Sequence, residues 1–438
     1  MGIKVAKFGG TSLADAEQFR KVRAIVAADP ARRYIVPSAP GKRHPRDQKI
    51  TDLLYLCHAH VQQEVPFDDV FSIVAERFLG IVHDLGLALD LRPYLDEIKE
   101  RIARGASADY TASRGEYLNA LILAELLGYE FVDAAEVIFF RPDGTLDRER
   151  TWRALAERLA AVPRAVIPGF YGALPGGAIK TFPRGGSDIS GAIVARGIGA
   201  ELYENWTDVS GFLMADPRIV PNPKPIELIT YRELRELAYM GASVLHEEAI
   251  FPVREAGIPI RIKNTNAPED PGTLIVRDAP PVTPNGTITG IAGRKDFTVI
   301  ALEKALMNAE IGFGRKLLSV LEANGISFEH MPSGIDTISL VIADAQLNHK
   351  LDKVLEEIRQ QCRPDSLEVH PNMALIATVG RGMAYTPGIA GKLFGALGRE
   401  GINVRMIDQG SSEINIIVGV DSQDFERAVR AIYHAFVG

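Results

Sequence analysis

The chain has 438 residues, 46% of them hydrophobic and 24% charged, and 49 lysines and arginines against 56 aspartates and glutamates give it a formal net charge of −7. This is an ordinary globular composition, with length for roughly two to four domains and a core that needs no disulfide or metal staple. The acidic balance, without a basic patch interleaved with aromatics, speaks against nucleic acid as a partner.

Two cysteines, Cys57 and Cys362, stand far apart with no CxxC spacing, which predicts free buried thiols in a reducing compartment. No leader pattern and no apolar run of membrane-spanning length is seen, so no membrane partner is expected and the cytoplasm is the expected location.

Ile3 to Phe8 is a short apolar run and predicts a buried first strand. Gly9, Gly10, Thr11 and Ser12 follow, then a helical pattern from Leu13 to Ala28. Glycines let backbone N–H groups approach a phosphate, and a helix start adds partial positive charge. Lys7 adds a full charge at the same place. A plain strand–helix connection explains the glycines about as well, because such turns are common. Tyr34-Ile35-Val36 predicts a second strand, ending in the Pro37 to Gly41 loop, and Lys42 to Lys49 is polar and basic.

A mainly helical region runs from Ile50, with Thr51 at its start, to Leu127. Glu116 lies there on an otherwise apolar face beside Arg114, as a helix cap, an exposed residue or a ligand. Phe131 to Asp133 and Ala165 to Phe170 predict further strands. Arg184-Gly185-Gly186-Ser187-Asp188 is a second glycine turn at a helix start, followed by Trp206-Thr207-Asp208-Val209 and Ala215-Asp216-Pro217-Arg218. Strands alternating with helices imply a mostly parallel sheet covered on both faces, with ligands at the carboxyl ends of its strands. His246 is followed by Glu247-Glu248 without the second histidine of a zinc motif, and no GxxxxGK[ST] stretch exists.

Residues 266–287 hold Pro268, Pro271, Pro280, Pro281 and Pro284 and mark the clearest boundary. Beyond it, "helix, Asn or Glu, Gly-Ile, Ser or Asn, strand" recurs at a spacing of 76 residues, Gly325 to Gly401. Two small βαββαβ units are the natural reading. Their open sheet edges predict pairing with each other or with another subunit.

With these residues laid out, the chain resembles the aspartate kinases of the amino-acid kinase family. The resemblance rests on KFGGTS (Lys7 to Ser12), RGGSD (Arg184 to Asp188), Thr207-Asp208-Val209, Ala215 to Arg218, Gly241-Ala242 with Val244-Leu245-His246, and Lys263-Asn264-Thr265 with Gly272-Thr273. These stand in family order over nearly the whole chain. The fold it implies is a three-layer α/β/α kinase domain with a mostly parallel sheet over residues 1–265, the linker 266–287, and two ferredoxin-like βαββαβ ACT domains, 288–370 and 371–438, with interleaving as an alternative for the first.

The resemblance implies transfer of the γ-phosphoryl group of ATP, with Mg2+, to the β-carboxylate of L-aspartate, at the head of lysine, threonine and methionine synthesis. Lys7, Arg184 and Asp188 would be catalytic: Lys7 neutralises phosphoryl charge, Arg184 pairs with a substrate carboxylate, and Asp188 orients Lys7 or assists at the metal. Ser38, Thr51, Glu116, Gly185, Gly186 and Ser187 would join Arg184 in holding aspartate. Gly9, Gly10, Thr11, Ser12, Thr207, Asp208, Leu213, Arg218, Ser243 and Val244 would join Lys7 around the nucleotide. Ser243 and Leu213 depart from the lysine and tyrosine common at these positions. No metal site of the protein's own is expected. Met307, Gly312, Phe313, Glu329, Ser333 and Asp336 would form an effector pocket for lysine, with threonine as the second candidate, and the repeats would join a homo-oligomer. The competing readings are an amino-acid sensor with weak or no kinase activity, a sibling kinase for another acidic or N-acylated amino acid, and repeats that serve only as a dimerisation platform.

Overall fold

A computed structural model describes residues 2–183, 185–241, 245, 247–279 and 287–438. The chain divides into two units. The first comprises Met1–Phe212, Pro225–Tyr231 and Val244–Ala279; the second comprises Leu213–Lys224, Arg232–Ser243 and Pro280–Gly438.

The first unit is built on an eight-stranded sheet in the order Glu130–Phe131, Ala165–Val166, Arg32–Pro37, Lys4–Phe8, Leu202–Thr207, Ile260–Asn264, Thr273–Val276, Leu228–Thr230. All neighbours run parallel except the antiparallel pair Ile260–Asn264 and Thr273–Val276. The adjoining strands Lys4–Phe8 and Arg32–Pro37 bury apolar residues on both faces, as a sheet covered on both sides requires. Val5, Ala6, Phe8, Ile35 and Val36 are fully buried. Register places Phe8 opposite both Pro37 and Trp206. The loops after these three strands therefore leave the sheet at one edge, which is where such sheets bind ligands.

Helices Ile50–Gln62, Asp68–Leu85, Arg92–Ala103 and Ala108–Leu127 fill the region read as mainly helical. The last carries Glu116. Ser107 caps its N-terminus by accepting from the Tyr110 N–H at 3.1 Å, and Gly128 ends it in a left-handed conformation at φ 64°. A cap of this kind stabilises a helix by about 1 kcal/mol.

Two sequence expectations change. The stretch 266–287 is not all linker, since Thr273–Val276 is a strand of the sheet. Its β-branched run lies between the prolines, so every residue in it has an N–H for the ladder. The helix after the first glycine turn begins at Ala16, capped by Asp15, rather than at Leu13, and a 3₁₀ turn, Gly10–Leu13, intervenes. The segment 280–286 lies outside the described residues.

In the second unit, strands of both repeats lie in one five-stranded sheet: Thr337–Ala343, Gly290–Glu303, Ser366–Val379, Asn415–Asp421, Met406–Asp408. Gly290–Glu303 and Ser366–Val379 are long enough to serve two cores. Ile300 and Leu302 pack with helices Phe313–Ala323 and Leu351–Cys362, whereas Ile291, Ala374 and Ile376 pack with Ile389–Arg399 and Phe425–Val437. The register between the two strands shifts between Arg294 and Val299, and Asp296 and Asn372 hold φ of 70° and 59° there. These bulges kink both strands at the junction of the repeats.

Candidate active site

The loops at the sheet edge line a cleft of about 530 Å³. The first loop, after Lys4–Phe8, runs against the second, after Arg32–Pro37. Gly41 N–H donates to the Gly10 carbonyl at 2.8 Å, and a Cβ on Gly10 would stand 2.8 Å from the Ala39 oxygen. Only glycine fits there. Gly9 spends its N–H on the Trp206 carbonyl at 2.9 Å, extending the sheet, so it has none to offer a phosphate. Gly10 and Thr11 open the 3₁₀ turn, and such N–H groups have no partner within it. Ser12 does not line the cleft. It is buried, with its hydroxyl 2.8 Å from that of Thr265.

The third loop precedes the helix Gly186–Gly197. Gly185 has φ 77°, and a Cβ on Gly186 would stand 2.4 Å from the Phe170 ring. Both glycines of the RGGSD turn therefore have a steric reason. Ser187 and Asp188 lie in the first turn of the helix and on the cleft wall. Arg184 lies outside the described residues.

Lys7 is buried at the cleft floor, with its ammonium 2.7 Å from the Asp188 carboxylate and donating to the Asn205 side-chain oxygen at 3.2 Å. Thr207 ends its strand and donates to Asp208 at 3.2 Å, and both line the cleft. Ser38, Thr51 and Glu116 also line the cleft.

Glu116 is buried with one carboxylate oxygen that has no partner, and burial pushes its pKa up to about 8, eased by a hydrogen bond from the Ala39 backbone. Arg114 turns elsewhere. It bonds the Ser113 hydroxyl at 2.9 Å and sits over the rings of Tyr110, Tyr117 and Tyr171. A buried carboxylate with an open acceptor is costly unless a cation comes to it. The free acceptor therefore suits an ammonium group of a ligand.

Sequence reasoning left the basic loop without a role. Here Lys42 and Lys49 stand at the cleft rim. The loop between them is tied down by Asp47, which pairs with Arg77 at 2.7 Å and Arg43 at 2.9 Å. The side-chain bond from Arg43 holds the Asp47 carboxyl well below the usual carboxylate range. Sequence reasoning also missed Asn205, which no local pattern marks. A larger cleft of about 870 Å³ lies elsewhere in this unit, but its Lys180 is paired with Asp109 and its Arg148 with Glu255.

Leu213 and Arg218 belong to the second unit, where Arg218 is exposed and pairs with Asp216 at 2.6 Å. Ser243, Val244 and His246 lie outside the described residues. In the first repeat Met307 and Phe313 are buried, Gly312 has φ 83° at the start of the helix Phe313–Ala323, and Ser333 and Asp336 are exposed. The Glu329 backbone pairs with Val341, and its side chain bonds Tyr239.

The amino acid kinase family matches residues 2–264, and an ACT domain matches residues 376–436. Aspartokinase 3 of Bacillus subtilis is 37% identical over 99% of this chain and 98% of its own. The crystal structure of Clostridium acetobutylicum aspartate kinase, described as an allosteric enzyme, is 61% identical, with a TM-score of 0.93 over the whole of both chains. Escherichia coli aspartokinase III matches over the whole of both chains in complex with aspartate and ADP, an R-state (25% identity, TM-score 0.72), and with lysine and aspartate, a T-state (26%, 0.75).

Proposed function

The chain belongs to the amino acid kinase family, as an aspartokinase, and on that premise we propose how its own residues transfer the γ-phosphoryl group of ATP to the β-carboxylate of L-aspartate. The products are 4-phospho-L-aspartate and ADP. The observation that carries the assignment of roles is the presence, in one cleft, of a buried lysine and of a buried carboxyl with one oxygen left without a partner.

The nucleophile is a carboxylate, already ionised near neutrality, so no general base is required. The barrier is the approach of one anion to another, and the protein lowers it by positioning and by fixed positive charge. Lys7 faces the transferring phosphoryl group. The Gly10, Thr11, Gly186 and Ser187 N–H groups meet phosphate oxygens, with Lys42 and Lys49 adding charge at the rim. Glu116 receives the α-ammonium of aspartate, Ser38 and Thr51 bond its oxygens, and Arg184 pairs with a carboxylate. Thr207 and Asp208 hold the nucleotide.

Mg2+, bound with the nucleotide, would supply charge neutralisation at its phosphates. Among the described residues no three His, Cys, Asp or Glu side chains converge to hold a metal by themselves; Asp188 is engaged with Lys7, and Asp208 is the cleft carboxylate that would reach the ion. Leu213, Arg218, Ser243 and Val244 are kept as nucleotide contacts on family position alone.

The ACT repeats regulate the kinase, with lysine as the inhibitor and threonine as the second candidate. Met307, Gly312, Phe313, Glu329, Ser333 and Asp336 form the effector pocket in this reading. The exposed Leu306, Ile311 and Ile335 on the first repeat favour a homo-oligomer assembled through the ACT repeats. We place the enzyme in the cytoplasm, on two free buried thiols, Cys57 and Cys362. Among the described residues no helix is long and apolar enough to cross a membrane.

The test is acyl-phosphate formation trapped as the hydroxamate, with MgATP and aspartate, glutamate or an N-acyl amino acid, with and without millimolar lysine. Product from aspartate alone, suppressed by lysine, is expected. Equal turnover of glutamate would replace the substrate. Turnover unmoved by lysine and threonine would leave the repeats as a dimerisation platform. No turnover, with amino-acid binding retained, would make the protein a sensor.

A further inference from the structure

Asn205 is among the few buried polar residues of the central sheet, 3% exposed, on the strand Leu202–Thr207. Register sets it directly opposite Lys7 on the neighbouring strand. Directly opposed residues send their side chains to the same face of a sheet. On that face Asn205 donates from its amide nitrogen to Asp188 at 2.8 Å and accepts from the Lys7 ammonium at 3.2 Å, while Lys7 and Asp188 are themselves 2.7 Å apart. The three side chains close a triangle.

Chemistry fixes the orientation of the amide within it. An ammonium only donates and a carboxylate only accepts, so the carbonyl end must face Lys7 and the amino end Asp188. No other neutral side chain of this length offers both. Two positions back on the same face, the Tyr203 hydroxyl donates to the Asp188 backbone carbonyl at 3.1 Å, and Gly191 makes room for that ring. Tyr203 thus seats the helix, and Asn205 sets the carboxylate upon it.

We propose that Asn205 is the positioning residue of phosphoryl transfer, holding the Lys7 ammonium so that one of its three N–H bonds stays aimed into the cleft. Asn205 accepts one of those bonds, and the Asp188 carboxylate holds the ammonium by charge from 2.7 Å. An N–H bond is thereby left for an oxygen of the transferring phosphoryl group. A lysine and an aspartate without the amide would close into a free-swinging ion pair in which the carboxylate competes with the phosphoryl oxygen for the ammonium. The bare Gly9, where a Cβ would stand 3.5 Å from the Lys7 nitrogen, keeps the approach open. This inference rests on Lys7 and Asp188 being the transfer pair.

The experiment compares wild type, Lys7→Ala, Asn205→Leu and Asn205→Asp in the hydroxamate assay over pH 6 to 9, with KM measured for both substrates. Asn205→Leu removes both bonds at similar volume. It is expected to lower kcat by about 10²-fold, the order of effect of misplacing a reacting group, with both KM values within about threefold. Asn205→Asp keeps the acceptor for Lys7 but faces Asp188 with a second carboxylate. Among the described residues, the groups facing that pair are Lys7 and the Tyr203 hydroxyl. One proton shared between the two carboxylates replaces the lost amide donor, so this variant should work best at acid pH. It should lose activity as the proton leaves, a limb that wild type lacks.

Asn205→Leu with kcat within about twofold of wild type would overturn the proposal, as would an Asn205→Asp profile that overlies that of wild type. If Asn205→Leu does not fold, the Asn205→Asp profile decides alone. Failure of the underlying reading looks different, because Lys7→Ala would then turn over as wild type does.

Discussion

The Lys7 ammonium stands 2.7 Å from the Asp188 carboxylate, joining the first strand of the sheet to the first turn of the helix Gly186–Gly197. The carboxylate holds the ammonium rather than the metal in this account. Asp188→Asn should therefore lower kcat by about 10²-fold while leaving the half-saturating Mg2+ concentration unchanged. A rise in the Mg2+ requirement of tenfold or more would move Asp188 to the metal.

Glu116 gives a prediction with a sign. Its folded pKa of about 8 lies above the ordinary value of 4.5 because the group is buried. The folded state therefore favours the protonated acid, and the advantage present below about pH 4.5 is lost as pH rises through about 8. Glu116→Gln removes that loss. Without substrate, the variant should melt at least ~2 °C above wild type at pH 9, with the gain vanishing near pH 4.5.

The same carboxylate must be ionised to receive the substrate ammonium. In wild type, kcat/KM for aspartate should rise with pH up to about 8, and in Glu116→Gln that rise should be absent and KM for aspartate raised at least ~10-fold. Steady-state kinetics across pH checks both. An unchanged KM would remove Glu116 from the substrate site.

The basic loop is held by the Asp47–Arg77 pair, whose side chains are 9% and 5% exposed. Removing one partner of a buried pair leaves the other uncompensated, so Asp47→Ala should cost about 3–5 kcal/mol of stability. The Asp47 pKa is lowered, so its contribution is present above the ordinary carboxylate pKa and is lost as pH falls toward the folded value. The gap between variant and wild type, read by denaturant unfolding, should be widest above about pH 4 and shrink in more acid solution.

The parts of this molecule that were legible in sequence are those whose chemistry is local. KFGGTS and RGGSD showed because glycine is favoured at Gly10 and Gly186 by a close approach and at Gly185 by a positive φ. The C-terminal repeats showed because Gly325 and Gly401 end equivalent helices, both at positive φ. Side-chain direction after a glycine turn was not legible. Ser12 was read as a nucleotide ligand, but a single 3₁₀ turn rotates its hydroxyl onto Thr265. Asn205 was invisible for a different reason. Its partners lie on another strand and another helix, and only the order and register of the sheet bring them together. Thr273–Val276 hid among prolines that frame the strand without entering it.

The effector pocket has its own test. Asp336 is exposed at the end of the first repeat's loop, and a carboxylate there suits an effector ammonium. Asp336→Ala should raise the lysine concentration for half-inhibition by roughly 5- to 150-fold, the range of an ordinary allosteric coupling, with uninhibited kcat unchanged. Inhibition that persists at the wild-type concentration would place the effector elsewhere.

The most direct measurement is the kcat of Lys7→Ala on MgATP and aspartate, set beside the ADP affinity of the same variant by calorimetry. The account predicts a kcat lower by about 10²–10³-fold with ADP affinity within a few-fold of wild type, because Lys7 acts on the transferring group rather than on the bound nucleotide. An unchanged kcat, or a loss confined to nucleotide affinity, would contradict it.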